Sequence, residues 1–315
     1  MTDTPSDQGA QPADIGGAVP GAGFMPFRNG RTWYRVAGAG GLGTRERGSD
    51  ESTEETLPLL VLHGGPGGGH EYLLPLADLL GGERALVFYD QVGCGESTPR
   101  PDWPDESFTV ELFVEELEAL IQHLGLRRFH LIGHSWGGML AAEYALGHPD
   151  QLASLTLCST AASVKLMMGS LLPLYAALAA EGVAPEQFMD VYCARHICRI
   201  TPLPEALVRS LAMIAENPQI NQAMVAADEN GEVIGTLRGW SCEDRLSGIS
   251  MPALVMHGEF DELNASTHQP FLDLIPDVRG HVFPGASHTA YLESPKEFRE
   301  TLGSFLAASE GKDIH

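Results

Sequence analysis

Apolar residues recur along this chain in two alternating rhythms. Residues 57–62, 129–132, 152–158 and 253–257 are short, almost wholly apolar runs. Runs of that length, apolar at nearly every position, read as strands buried on both faces. Weaker strand patterns occur at 32–36, 84–89 and 280–283. Between the runs the spacing changes. Leu112, Phe113, Leu117, Leu120, Ile121 and Leu124 recur three and four residues apart, with Glu111, Glu115, Glu116 and Glu118 between them. That period predicts an amphipathic helix over 109–124. Helical composition also marks 73–80, 139–146 and 295–308. Alternation of strand and helix from 57 to 158 predicts an α/β fold, a mostly parallel central sheet with helices on both faces.

The alternation stops near residue 161. From 161 to 240 the composition is helical, with Pro173, Pro185, Pro202, Pro204 and Pro218 and no comparably strong strand. We therefore expect a helical cap, 161–240, inserted into a core domain made of 24–160 and 241–315. Residues 166–180 are nearly apolar but contain Pro173, and the stretch is too short to cross a bilayer. It reads as a buried or cleft-lining helix. Residues 38–56 are Gly-rich, then charged, and read as an exposed hairpin loop. Residues 1–23 hold few large apolar groups, so burial cannot offset ordering entropy there and a disordered tail is expected.

Composition narrows the function classes. The 315 residues are enough for one large domain with an insertion. Asp plus Glu number 42 against 19 Lys plus Arg, a formal charge of −23. Phosphate binding needs basic patches, so nucleic acid is not an expected partner. The five cysteines fit neither a disulfide framework nor a zinc pattern. They read as reduced thiols. With no basic segment followed by an apolar one at the N-terminus, the expectation is a cytoplasmic protein that does not engage membranes.

The chemistry gathers at Gly133-His134-Ser135-Trp136-Gly137, a G-x-S-x-G pattern between a predicted strand and a predicted helix. In that context the serine sits on a sharp turn with its hydroxyl exposed. A serine hydroxyl needs a base to become nucleophilic, and histidine is the usual one. Among twelve histidines position decides. His288 follows the last predicted strand and Asp261 the one before it, and strand C-terminal ends are where such a sheet gathers function. Taken singly, either could be an ordinary loop residue. The order Ser135, Asp261, His288 is that of the α/β-hydrolase fold. Backbone N–H groups of Trp136 and of Gly65, in the loop 63–69, are the candidate oxyanion donors. That loop lacks the Gly-Lys-Ser/Thr ending of a phosphate loop. His63 reads as shaping it, and His134 as packed beneath the turn.

Three motifs together resemble the proline iminopeptidases. They are His63-Gly64-Gly65-Pro66-Gly67, Tyr89-Asp90-Gln91-Val92-Gly93-Cys94-Gly95, and Gly133 to Gly138. The likeness continues at 235–240 and 258–262 and covers about 25–308. It implies an α/β-hydrolase with a helical cap that removes a residue from the N-terminus of a short peptide, or acts on amino-acid amides. No cofactor and no metal are implied. It also implies that acidic residues hold the substrate ammonium. Glu262 stands beside Asp261, and Glu229 or Glu232 fill the cap position, where the spacing departs from the family pattern by one residue. Apolar groups from 166–180 and Trp240 would roof the pocket. The alternative is an ester or lactone hydrolase on the same scaffold.

Overall fold

In the computed structural model, which describes residues 21–40, 42 and 56–311, the apolar runs form the centre of one sheet. The strands are β1 (Gly21–Phe27), β2 (Gly30–Gly38), β3 (Leu59–Leu62), β4 (Ala85–Tyr89), β5 (Phe129–His134), β6 (Leu152–Cys158), β7 (Ala253–Gly258) and β8 (Val278–Phe283). Their spatial order is β1-β2-β4-β3-β5-β6-β7-β8. β1 pairs antiparallel with β2, and β2 with β4. All pairings from β4 to β8 are parallel. Strands β3 to β7 are buried at every position. This is why they read as continuous apolar runs rather than alternating ones.

The helices are α1 (Pro75–Leu80), α2 (Val110–Leu124), α3 (Trp136–Gly147), α4 (Val164–Ala180), α5 (Phe188–Tyr192), α6 (Glu205–Glu216), α7 (Gln219–Val225), α8 (Ala265–Leu274), α9 (Ala290–Glu293) and α10 (Pro295–Ser309). On one face, Phe113 and Leu117 of α2 and Leu140 and Tyr144 of α3 pack with Leu60 and Leu131 of the sheet. On the other, Leu76 and Leu80 of α1 and Leu302 of α10 pack with Leu59, Val61 and Ile132. Helix α2 follows its sequence pattern closely. The Thr109 hydroxyl accepts the Leu112 N–H at 3.3 Å, and Gly125, at φ 66°, ends the helix.

Some elements differ from the sequence expectation. β1 starts at Gly21, inside the stretch 1–23 expected to be a tail, and residues before it lie outside the described ones. Its Gly and Pro content hides a strand because Pro26 is tolerated on a sheet edge, where no ladder donor is required. Most of the expected loop 38–56 also lies outside the described residues. α8 escaped notice because Pro270 sits inside it and only Thr267, His268 and Phe271 are buried. Between β6 and β7 the named elements α4 to α7 are all helical. All five cysteines are free and buried. Among the described residues no helix is long and apolar enough to cross a membrane.

Candidate active site

Ser135 stands between β5 and α3 with φ 57° and ψ −125°, a conformation that a side-chain-bearing residue adopts only under constraint. The constraint is close packing by glycine. A Cβ on Gly133 would run into the carbonyl of Gly137, and one on Gly137 into the carbonyl of Leu62. The Ser135 N–H donates to the Cys158 carbonyl at 3.0 Å, and the Thr160 hydroxyl donates to the Ser135 carbonyl at 2.7 Å. Trp136 is the first residue of α3, so its N–H has no partner within the helix.

Asp261 and Glu262 lie just past β7, and His288 lies past β8. Asp261 is buried, and its Oδ1 accepts the Leu263 N–H at 2.9 Å and His288 Nδ1 at 2.8 Å. Nδ1 therefore carries a proton, and Nε2 is left for the cleft. Burial alone would raise the Asp261 pKa, but the adjoining His288 outweighs it and holds the carboxyl at about 2. Ser135 and His288 line the same cleft, together with Gly64, Gly65 and Glu262.

Glu262 approaches the other side of the imidazole, with Oε1 3.6 Å from His288 Nε2. The Tyr192 hydroxyl donates to its Oε2 at 2.6 Å. Burial raises the Glu262 pKa, and His288 and the Tyr192 hydroxyl partly offset that. Burial also works against a charge on His288, but the Asp261 and Glu262 carboxylates prevail and bring its pKa up to about 9.

A second cleft meets the first at Ser135, Gly65 and Glu262, and Met167, Met168, Leu171 and Tyr175 of α4 form part of its wall. The cleft-lining role expected for 166–180 is thus what α4 provides. Trp240 is elsewhere, donating its indole N–H to Glu143 at 2.8 Å.

Below the elbow, a chain of hydrogen bonds fixes the direction of each proton. Gly64 N–H donates to the Tyr72 hydroxyl at 2.8 Å. That hydroxyl meets His134 Nδ1 at 2.8 Å, and His134 Nε2 meets the His288 carbonyl at 2.8 Å. A carbonyl only accepts, so Nε2 bears the proton and Nδ1 accepts from Tyr72. Burial, reinforced by the charge on His288, lowers the His134 pKa to about 3 and keeps the ring neutral. His134 is therefore a brace beneath the elbow, tying the glycine loop to the histidine loop.

The sequence-predicted residues Ser135, Asp261, His288, Gly65, Trp136 and Glu262 come together. Glu229 and Glu232 do not. Both are exposed and neither lines either cleft. They belong to a turn in which Asp228 Oδ1 accepts the N–H groups of Asn230 and Glu232, each at 2.9 Å, between the bridged pair Ala227 and Val233. The turn spends its acidic residues on its own backbone and on solvent. Sequence reasoning missed Tyr72 and Tyr192, which lie far from any motif.

A family profile described as alpha/beta hydrolase fold matches residues 58–188. A proline iminopeptidase of Lactobacillus delbrueckii subsp. bulgaricus is 31% identical, over 91% of this chain and 98% of that protein. One from Clostridioides difficile is 32% identical with the same coverage, 91% and 98%. The crystal structure of proline iminopeptidase from Mycobacterium smegmatis matches with a TM-score of 0.80 at 39% identity, covering 92% of this chain and 98% of that one.

Proposed function

The chain belongs to the proline iminopeptidase family of the α/β-hydrolase fold, and from that premise we propose that it cleaves the amide bond after a free N-terminal amino acid through a serine acyl-enzyme. Short peptides and simple amino-acid amides are the substrate class. Ser135 Oγ attacks the carbonyl carbon while His288 Nε2 takes its proton. Asp261, bonded to Nδ1 at 2.8 Å, orients the ring and stabilises the imidazolium. The Gly65 and Trp136 N–H groups receive the oxyanion. As the C–N bond breaks, His288 returns the proton to the departing amine, which leaves neutral. Water then attacks the ester, with His288 again as base, and releases the amino acid.

The observation that carries this reading is the placement of Glu262. It is the acidic side chain that lines both clefts, and its Oε1 lies 3.6 Å from the base. An ammonium entering a partly dry cleft needs an anionic partner. A carboxylate one step from the reacting centre accepts the α-amino group of the residue being removed and of no residue further along. Binding that ammonium also neutralises one of the two anions that hold a proton on His288, which favours the neutral base.

The test is hydrolysis of prolyl and alanyl β-naphthylamides, each with a free and an acetylated amine, beside p-nitrophenyl acetate. Free-amine arylamides should be cleaved and their acetylated forms refused. Activity confined to the ester would overturn the proposal in favour of an esterase.

A further inference from the structure

The motif around Gln91 has no part in the chemistry above, yet its side chain touches both loops that carry the oxyanion donors. Gln91 follows β4 and is fully buried. Its N–H donates to His63 Nε2 at 3.0 Å, and its side-chain Nε2 donates to the His63 carbonyl at 2.9 Å. On the other side, the Trp136 indole N–H donates to Gln91 Oε1 at 2.8 Å. The amide orientation is not in question, since an indole can only donate and a carbonyl can only accept. The His63 ring is fixed by the same logic. Its Nε2 accepts from Gln91, so its Nδ1 bears the proton and donates to the Gly64 carbonyl at 2.9 Å.

We propose that Gln91 is a positioning residue that sets the spacing of the oxyanion hole by clamping the His63–Gly65 loop to Trp136. In the sheet, β3 lies between β4 and β5. From the end of β4, Gln91 therefore reaches past the end of β3 to the elbow after β5, a span of two strand spacings or about 10 Å. The two donors sit on the two elements it joins. An oxyanion site works because its donors are already aimed at the point where charge develops. A link between the donor loops removes the motion that would spread them. Methionine at this position would keep the volume and lose all of the side-chain bonds, while leaving the Gln91 N–H in place. Phenylalanine at 136 would lose only the indole bond and keep the backbone donor.

This inference rests on Gly65 and Trp136 as the oxyanion donors and does not require an amide substrate. The probes are therefore p-nitrophenyl acetate and benzeneboronic acid, whose serine adduct imitates the tetrahedral intermediate. Neither carries an amine, so failure of the aminopeptidase reading would appear separately in the arylamide panel. For Gln91→Met, kcat should fall about tenfold or more, short of the roughly 10²- to 10³-fold expected for outright loss of a donor. KM should stay within about twofold, as for an interaction felt in the transition state. Boronate affinity should fall in proportion to kcat. Trp136→Phe should do the same, and the double variant should lose no more than the worse single one, because both break one link. Unchanged boronate affinity in the single variants, or losses that add, would overturn the clamp. If Gln91→Met fails to fold, Trp136→Phe alone decides, by the same boronate reading.

Discussion

His288 sits between two carboxylates that act on opposite sides of its ring. Asp261 holds Nδ1 at 2.8 Å, and Glu262 stands 3.6 Å from Nε2, the nitrogen proposed to accept the serine proton. Together they raise the imidazole pKa to about 9, against the effect of burial, and so favour the protonated ring over the neutral one that the proposed mechanism needs. Inactivation by a fluorophosphonate, which brings no amine, should therefore speed up as pH rises through that ionisation. Glu262→Gln removes one anion and should move the midpoint down by about one unit or more, since an opposite charge at this range commonly shifts a pKa by that much. A midpoint that stays put would show that Glu262 does not act on His288. At this scale the sequence was legible where position along a strand decides. Ser135, Asp261 and His288 each follow a strand end, and they meet. It was illegible where side-chain direction decides. Glu229 and Glu232 lie near the right segment, but their turn directs them to solvent.

The elements show the same division. Strands β3 to β7 and helix α2 were readable because burial on both faces, or on one helical stripe, leaves a period in the sequence. β1 and α8 were not, because an edge strand containing Pro26 and a helix containing Pro270 leave none. One residue in α2 breaks its own pattern. Glu116 falls on the apolar stripe, three residues after Phe113 and four before Leu120, and is fully buried. It accepts the Val92 N–H at 2.8 Å and the Thr32 hydroxyl, anchoring the loop that begins with Gln91. Burial raises its pKa to about 8, against about 4.3 when exposed. The folded state thus binds the proton more tightly than the unfolded chain. The contribution of Glu116 to stability therefore falls as pH climbs between those two values and changes no further above about 8. Glu116→Gln has no proton to lose; its carbonyl can still accept the Val92 N–H, while its NH2 donates to the Thr32 hydroxyl, which turns to accept. Its Tm relative to the parent should rise from pH 5 to pH 8 and then stay constant. A Tm difference independent of pH would contradict the buried, proton-binding role.

At the scale of the molecule, strand ends from the sheet and helices α4 to α7 meet over one point. The two clefts join at Ser135, Gly65 and Glu262. The helical segment is pinned to the catalytic loop, since the His288 N–H donates to the His196 carbonyl at 3.1 Å and the Thr289 N–H to the Ile197 carbonyl at 3.0 Å. The helical segment supplies Tyr192 to hold Glu262, and loops at the sheet's strand ends supply Ser135, His288 and Gly65, the proposed nucleophile, base and oxyanion donor. Under the proposed function, recognition of the amine and cleavage of the bond are joined at a single carboxylate. The most direct test is the ratio of kcat/KM for a free-amine prolyl β-naphthylamide to that for its acetylated form, in the parent and in Glu262→Gln. The parent should favour the free amine by about 10²-fold or more, in line with the cost of leaving a buried charge unpaired, and the variant should lose most of that preference. A ratio that is the same in both proteins would contradict the account.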